Sequence, residues 1–134
     1  MIATTEIRNL RAGDILPKGF ASLFPVDWKF DSEWLWVAAE GDAVAGVIMA
    51  APCHGTVIIQ AVYVEDGRGM LMLQLFRAFL KDCLDRGFKA YMAYTRSNDE
   101  TQQTLLTLAK RAKAVVFPQP MLCFGGTLED AARW

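Results

Sequence analysis

The 134-residue sequence has no marked excess of charge of either sign, since 14 Lys and Arg residues stand against 15 Asp and Glu residues, with a single His. A nucleic-acid-binding protein needs a basic surface to neutralise phosphates, so the near-neutral balance argues against a nucleic-acid partner. An apolar content of 53% argues equally against a disordered acidic protein. We expect residues 1–134 to form one domain with a full hydrophobic core.

Cysteine is scarce and follows no pattern. The three cysteines, Cys53, Cys83 and Cys123, are widely spaced and form no CxxC pair. Neither a disulfide framework nor a zinc site fits this arrangement, so we expect reduced thiols and no metal. The sequence also shows no signal-peptide pattern at its start and no apolar stretch long enough to cross a bilayer. These absences predict a cytoplasmic protein with no membrane partner.

Apolar segments alternate regularly with turn residues. The predicted strands are Glu6–Leu10, Trp34–Glu40, Ala43–Pro52, Thr56–Val64, Phe88–Thr95, Val115–Phe117 and Met121–Thr127. The predicted helices are a short one that is N-capped by Asp14 and bears Phe20, a long one over Met70–Arg86, and one from Ser97 to Lys113. A strand, helix and strand in succession favour a parallel pair. We therefore predict an α/β (α+β) fold whose mixed, mostly antiparallel sheet has six to seven strands and helices on both faces.

The stretch from Thr56 to Gly87 contains the strongest functional signal. A buried strand runs through the short loop Glu65-Asp66-Gly67-Arg68-Gly69, here called the 65–69 loop, into the long amphipathic helix. The first backbone N–H groups of a helix have no partner within the helix and can hold an anion. The stretch is therefore a candidate site for a phosphate-bearing cofactor. Gly67 and Gly69 equally suit a plain turn, and Arg68 a solvated loop charge.

The order of the elements and several residues resemble the GNAT (Gcn5-related N-acetyltransferase) superfamily over about Ile7 to Phe124. Gln60-Ala61-Val62 and the residues up to Leu75 align without gaps with the family's strand, cofactor loop and helix. The hairpin around Gly41-Asp42 is similar to the family's second hairpin. Asn98 matches the Asn that often opens the helix after the fifth strand. The resemblance implies a GNAT-like fold and a binder of acetyl-CoA.

The resemblance also implies where acetyl-CoA would lie. The backbone of the central strand would meet the pantetheine arm near Val62 and Val64, and Asn98 would belong to the same site. The N–H groups of the loop and the first helical turn would wrap the pyrophosphate. These groups belong to Gly67, Arg68, Gly69, Met70, Leu71 and Met72.

The 65–69 loop departs from the family pattern. Gly67 stands at the Arg or Gln position, with Arg68 one place late, and Met70 and Met72 stand at two positions that the family fills with small residues. Those positions are small because backbone must approach phosphate oxygens closely. The chain thus resembles a member with a degenerate cofactor loop. The methionines are equally explained as helix residues that pack in the core.

No catalytic residue can be assigned from the resemblance. Leu105 stands where the family commonly has a tyrosine that protonates the leaving sulfur, and the central strand offers Gln60 but no acid. His54 lies in a turn, and Tyr63 and Tyr94 suit buried strand positions. The aromatic residues Trp28, Phe30, Trp34 and Trp36 suit either an acceptor pocket or packing in the core.

Two functions are consistent with these features. The first is an N-acetyltransferase that acts on a small-molecule or protein amine. The second is a catalytically inactive GNAT-like binding or structural protein, a type that also occurs among bacteriophage virion proteins. The intact spacing favours the first, and the missing tyrosine and the altered loop favour the second. An exposed final strand pair would leave room for a homodimer.

Overall fold

A computed structural model describes residues 4–93, 107, 109–111, 113 and 127–133 of the chain. In this part of the chain, five strands form one sheet in chain order: β1 (Thr5–Asn9), β2 (Leu35–Glu40), β3 (Ala43–Cys53), β4 (Thr56–Val64) and β5 (Ala90–Ala93). Helix α1 (Lys18–Ala21) and a 3-10 turn (Ser32–Trp34) precede β2, and helix α2 (Gly69–Asp85) joins β4 to β5. A short helix near the C-terminus spans Leu128–Ala132. Among these residues, no helix is long and apolar enough to cross a membrane.

The strand pairings confirm the mixed sheet. Strands β1 to β4 pair antiparallel with their neighbours, whereas β4 and β5 run parallel, with Thr56 opposite Ala90 and Ile59 opposite Ala93. The two strands that α2 connects are therefore parallel, as predicted. The predicted strand Val115–Phe117 lies outside the described residues, as does Met121–Thr127 except for its last residue. The described sheet accordingly has five strands where six to seven were predicted.

The sheet carries apolar residues on both faces because β2 and β3 alternate between two cores. Trp36 and Ala38 face α2 and join a core that α2 supplies from one side. Leu35 and Val37 face the opposite way, toward the fully buried Phe20 of α1. Helices therefore cover both faces of the sheet, as predicted. The residues that α2 buries are Leu71, Met72, Leu75, Phe76, Phe79 and Cys83.

A bulge interrupts the pairing of β3 with β4. Met49 lies opposite Ala61 and Ala50 opposite Ile59, so Gln60 is the extra residue on β4. A bulge shifts the alternation of side chains by one residue. Ile59 consequently faces the α2 core, while Ala61 faces the α1 core. The exposed Gln60 stands at this break.

The prediction that Asp14 caps α1 was wrong. The helix begins at Lys18 after Pro17, whose φ of −59° already suits a helix start. The Asp14 carboxylate instead accepts hydrogen bonds from both terminal nitrogens of Arg8, at 2.7 and 2.8 Å, and from the backbone N–H of Arg11 at 2.7 Å. A bidentate guanidinium is a stronger partner for a carboxylate than a helix amide.

Candidate functional site

The 65–69 loop is a tight turn between β4 and α2. The N–H of Glu65 donates to the carbonyl of Ala45 at 3.0 Å, and the N–H of Arg68 donates back to the carbonyl of Glu65 at 3.2 Å. Gly67 has a φ of +77°, a conformation that side chains with a Cβ rarely adopt. Glycine at this position therefore makes the turn possible, and the turn aims the start of α2.

The first turn of α2 leaves amide groups free. The N–H groups of Leu71 and Met72 both donate to the carbonyl of Arg68, at 3.1 and 3.2 Å. Within the described part of the chain, the N–H groups of Gly67, Gly69 and Met70 donate to no acceptor, and no side chain caps the helix. A Cβ placed on Gly67 or Gly69 would meet nothing within 4 Å, so the backbone here is open to a ligand. Free amides at a helix N-terminus favour an anion.

Arg68 is held against the end of β2. Its guanidinium donates to both carboxylate oxygens of Glu40, to Oε1 by one nitrogen and to Oε2 at 3.2 Å by the other. Thr5 donates to the same carboxylate at 3.4 Å, and a Glu65 oxygen lies 3.6 Å from the guanidinium. The hydrogen bond from Arg68 lowers the pKa of Glu40, and the same contact raises the pKa of Arg68. The ion pair therefore fixes the loop and neutralises its one positive charge.

The sequence did not reveal Glu40 as part of this site. Its only signal was a charged residue at the end of an otherwise apolar strand. Glu40 is separated from Arg68 by 28 positions, and only the register of β2 in the sheet brings the two side chains together.

The residues at the start of α2 point in different directions. Leu71 and Met72 are 4% and 5% exposed and pack in the core on the sheet, whereas Met70 is 70% exposed. The N–H groups of Arg68, Leu71 and Met72 already donate to carbonyls of the loop, so Met72 leaves neither its amide nor its side chain free for a ligand. The Met70 side chain lies at the surface beside the free amides.

Within the part of the chain that the structure describes, one edge of strand β4 next to this loop has no partner strand. Its pairing with β5 covers Thr56 to Ile59. In the described chain, Val62 and Val64 pair with β3 alone, opposite Ile48 and Gly46. Their side chains are half-buried against the α2 core. The backbone on the other edge of β4 thus lies where the resemblance expects a pantetheine arm, while Asn98 lies outside the described residues.

The aromatic segment divides between the two faces of the sheet. Trp36 is buried on the α2 face, where its ring packs against Phe79 at 4.8 Å and against Trp34 at 5.8 Å. Packing in the core therefore explains Trp34 and Trp36. Trp28 and Phe30 lie on the α1 face and line a surface groove of about 710 Å³. The acceptor-pocket interpretation thus remains for these two residues alone.

The reactive side chains of the described residues are not gathered at the loop. Cys83 is buried in the α2 core, and burial raises the pKa of its thiol to about 11. His54 is exposed in the β3–β4 turn with a φ of +57°. Tyr63 lies nearer, on β4, and lines a second groove together with Glu65. Among the described residues, no group of three or more His, Cys, Asp or Glu residues could hold a metal ion.

Solved structures of acetyltransferases share this fold. Aminoglycoside acetyltransferase meta-AAC0020, from an uncultured soil metagenomic sample, matches with a TM-score of 0.60 and 19% identity over 92% of this chain and 96% of that chain. Ribosomal-protein-S18-alanine N-acetyltransferase from Escherichia coli matches with a TM-score of 0.58 and 13% identity over 81% and 76%. AAC(6')-Iy, in complex with the bisubstrate analogue CoA-S-monomethyl-acetylneamine, matches with a TM-score of 0.59 and 13% identity over 93% and 100%.

No family model matches the sequence, and no curated protein matches it. The similarity to these acetyltransferases therefore lies in the fold. The mixed sheet, the parallel crossover and the structural matches together show that the chain has the GNAT fold. The fold that the resemblance implied is therefore confirmed.

Proposed function

We propose that this chain, with its GNAT fold, is an N-acetyltransferase that moves an acetyl group from acetyl-CoA to an amine. The observation that carries the proposal is the N-terminal turn of α2 beside the central strand, where the amides of Gly67, Gly69 and Met70 have no acceptor among the residues that the structure describes. These groups offer several N–H donors and the positive end of a 17-residue helix to a pyrophosphate.

The chemistry proposed is acyl transfer to nitrogen. The amine, once deprotonated, attacks the thioester carbonyl, a C–N bond forms, the C–S bond breaks, and the thiolate takes up a proton. The protein contributes chiefly by positioning the two reactants. The amides of the 65–69 loop would hold the phosphates, and the free edge of β4 near Val62 and Val64 would hold the pantetheine arm.

Backbone amides carry more of the proposed phosphate binding than Arg68 does. The guanidinium is already paired with Glu40 and has Glu65 at 3.6 Å. Asp66 adds a further carboxylate to the loop. Anion binding at this loop therefore depends on the N–H groups, which need no charge of their own.

The same carboxylates favour a second candidate, a GNAT-fold protein that binds or assembles without catalysis. Glu40 and Glu65 lie against the Arg68 guanidinium, and Asp66 adds a third carboxylate to the sequence of the loop, so the local charge opposes a pyrophosphate. A protein without acetyltransferase activity would not require a loop that favours phosphate binding.

Ligand-dependent stability tests the first candidate. Acetyl-CoA at one hundred times its dissociation constant should stabilise the fold by about 2.7 kcal/mol, which thermal or chemical unfolding detects. Release of the CoA thiol in the presence of a panel of amines then measures transfer. Stabilisation without transfer to any amine would support the second candidate, and no stabilisation at millimolar acetyl-CoA would contradict the proposed acetyltransferase.

A further inference from the structure

The middle of the central strand β4 carries one exposed polar side chain. Gln60 is exposed, whereas every other residue of β4 is buried or half-buried. Its neighbours along β4, Ile59 and Ala61, are apolar, as are Met49 and Ala50 across the bulge on β3. At this point of these two strands, Gln60 therefore supplies the only side-chain group that can form a hydrogen bond.

The fold makes no use of the Gln60 carboxamide. Among the described residues, this side chain takes part in no hydrogen bond. Strands favour β-branched and aromatic residues, so the formation of β4 does not explain a glutamine here either. Bulges often lie next to active sites, where they redirect a side chain. The bulge at Gln60 leaves a carboxamide outside both cores with all of its hydrogen-bonding capacity available to a ligand.

Gln60 lies on the path that the proposed cofactor would follow. With the phosphates at the 65–69 loop, the pantetheine arm would run back along the edge of β4 past Val64 and Val62. The stretch from Val64 to Gln60 spans about 13 Å at the rise of a strand. The arm between the phosphate and the sulfur contains two amide units and is about as long as four to five extended residues. Its thioester end would therefore reach Gln60.

The sheet itself sets where the arm must end. In the described part of the chain, the parallel ladder between β4 and β5 covers Thr56 to Ile59. Within this ladder the edge of β4 is occupied by β5 and is closed to a ligand. Gln60 is the first residue beyond the ladder on the side of the 65–69 loop. An arm that lies along β4 would thus stop with its thioester beside the Gln60 side chain.

From this arrangement we infer that Gln60 is a catalytic residue whose Oε1 atom accepts a hydrogen bond from an N–H of the attacking amine. This role rests on the proposed acetyltransferase function. The contact aims the nitrogen lone pair at the thioester carbonyl, which is catalysis by orientation. The C–N bond forms, the C–S bond breaks, and the proton that the nitrogen loses reaches the thiolate through solvent. The carboxamide stays neutral throughout, since it takes up no proton.

A neutral partner for the amine has a consequence for the pH dependence of the reaction. The carboxamide cannot act as a base, so the amine must reach the thioester already deprotonated. A carboxylate at the same position could both hold an ammonium group and accept its proton. The exchange of Gln60 for glutamate therefore changes the pH profile, and a side chain that only shaped the strand would have no such effect.

Gln60→Met is the first test, because it keeps the length of the side chain and removes both of its polar atoms. Release of the CoA thiol is measured with acetyl-CoA and the most reactive amine of the panel. We expect kcat/KM for the amine to fall about tenfold, the scale of one hydrogen bond, while the stabilisation by acetyl-CoA stays the same. Gln74→Met, at an exposed position of α2, is the matched control and should leave kcat/KM unchanged.

Gln60→Glu is the second test, with the fold of each variant verified by circular dichroism. The ratio of its kcat/KM to that of the natural chain should be larger at pH 7 than at pH 9, because the carboxylate helps most when the free amine is protonated. A ratio that does not change with pH would overturn the role of Gln60, as would an unchanged kcat/KM in Gln60→Met.

The natural chain separates the two proposals. If acetyl-CoA stabilises it and it acetylates an amine, but Gln60→Met is equally active, the role of Gln60 is wrong and the acetyltransferase stands. If the natural chain neither gains stability from acetyl-CoA nor transfers the acetyl group to any amine, both proposals are wrong.

Discussion

The two ends of α2 differ in how their backbone groups are capped. At the C-terminal end, Gly87 adopts a φ of +98°, its N–H donates to Leu84, and the N–H of Phe88 donates to Cys83 at 3.1 Å. This is the left-handed glycine cap with its apolar follower. At the N-terminal end no side chain of the described residues caps the helix, and among these residues the amides of Gly69 and Met70 find no acceptor.

The side chains at the two ends of α2 also differ in their contacts. The Arg86 guanidinium lies 4.8 Å from the centre of the Trp36 ring and pairs with Asp82, to which the Trp36 indole donates at 2.8 Å. Every polar group of this cluster thus has a partner within the chain. At the other end Arg68 and Glu40 satisfy each other and leave the backbone untouched. We call the C-terminal end of α2 the closed end, because its backbone and side-chain groups are hydrogen-bonded within the fold. We call the N-terminal end the open end, because its backbone amides are available to the proposed ligand.

The largest expected effect comes from the closed end. Trp36→Ala removes a buried ring that packs on Phe79 and anchors Asp82, and it should reduce the free energy of unfolding by about 3–5 kcal/mol in urea denaturation. Trp34→Phe is the control, because it keeps an aromatic ring next to Trp36. A loss below about 1 kcal/mol would show that the closed end does not anchor α2.

A matched pair of glycines separates stability from binding. Gly67→Ala and Gly87→Ala each force a Cβ into a positive φ with open space around it, so each should destabilise by about 1–2 kcal/mol. Gly67→Ala alone should also weaken acetyl-CoA binding, by roughly tenfold, since the loop amides lose their geometry. Equal dissociation constants for the two variants would place the ligand elsewhere.

Removal of a carboxylate at the open end should strengthen ligand binding. Glu40→Gln releases the Arg68 guanidinium toward the loop, and we expect acetyl-CoA to bind about threefold more tightly, the scale of one exposed ion pair. Asp85→Asn removes a charge at the closed end and should leave the dissociation constant unchanged. Weaker binding in Glu40→Gln would mean that the ion pair positions the loop for the ligand.

The smallest expected effect is a pH dependence of stability. Because the hydrogen bond from Arg68 lowers the pKa of Glu40 in the folded state, the unfolded state binds the proton more tightly. The stabilisation is therefore complete above the ordinary glutamate pKa of about 4.3 and is lost as the pH falls through the folded value. The difference between the urea midpoints of the natural chain and Glu40→Gln should decrease as the pH falls from about 5 to about 3, because protonation of Glu40 removes its interaction with Arg68. The midpoints should be measured at intervals of about one pH unit. A constant difference across that range would contradict the role of this pair.

Local patterns predicted the central elements well. The bounds of β4, Thr56–Val64, agree with the prediction, and α2 begins and ends one residue earlier than predicted. Apolar periodicity and a terminal glycine are strong signals because they act within a few residues. The prediction for Asp14 was wrong because the path of the chain between β1 and α1 brings the Asp14 carboxylate to the Arg8 guanidinium.

The candidate site was predicted in part. The sequence located the free amides after β4 and both flanking glycines, and it indicated that side chains at Met70 and Met72 matter. Helical periodicity alone puts Met72 on the apolar face of the helix with Leu75 and Phe79 and leaves Met70 off that face, and the structure confirms both positions. The sequence could not show the bulge at Gln60, which depends on the register of β3. Binding at these residues stays a prediction.

The sequence by itself determined the element order, the GNAT-like resemblance and the position of the 65–69 loop, because each depends on residues that are near one another in the chain. Tertiary structure alone decided that Glu40 neutralises Arg68, that Trp28 and Trp36 lie on opposite faces of the sheet, and that Gln60 is the extra residue of a bulge on β4. Each of these contacts joins separate elements, and strand register and packing, which no local pattern encodes, select them.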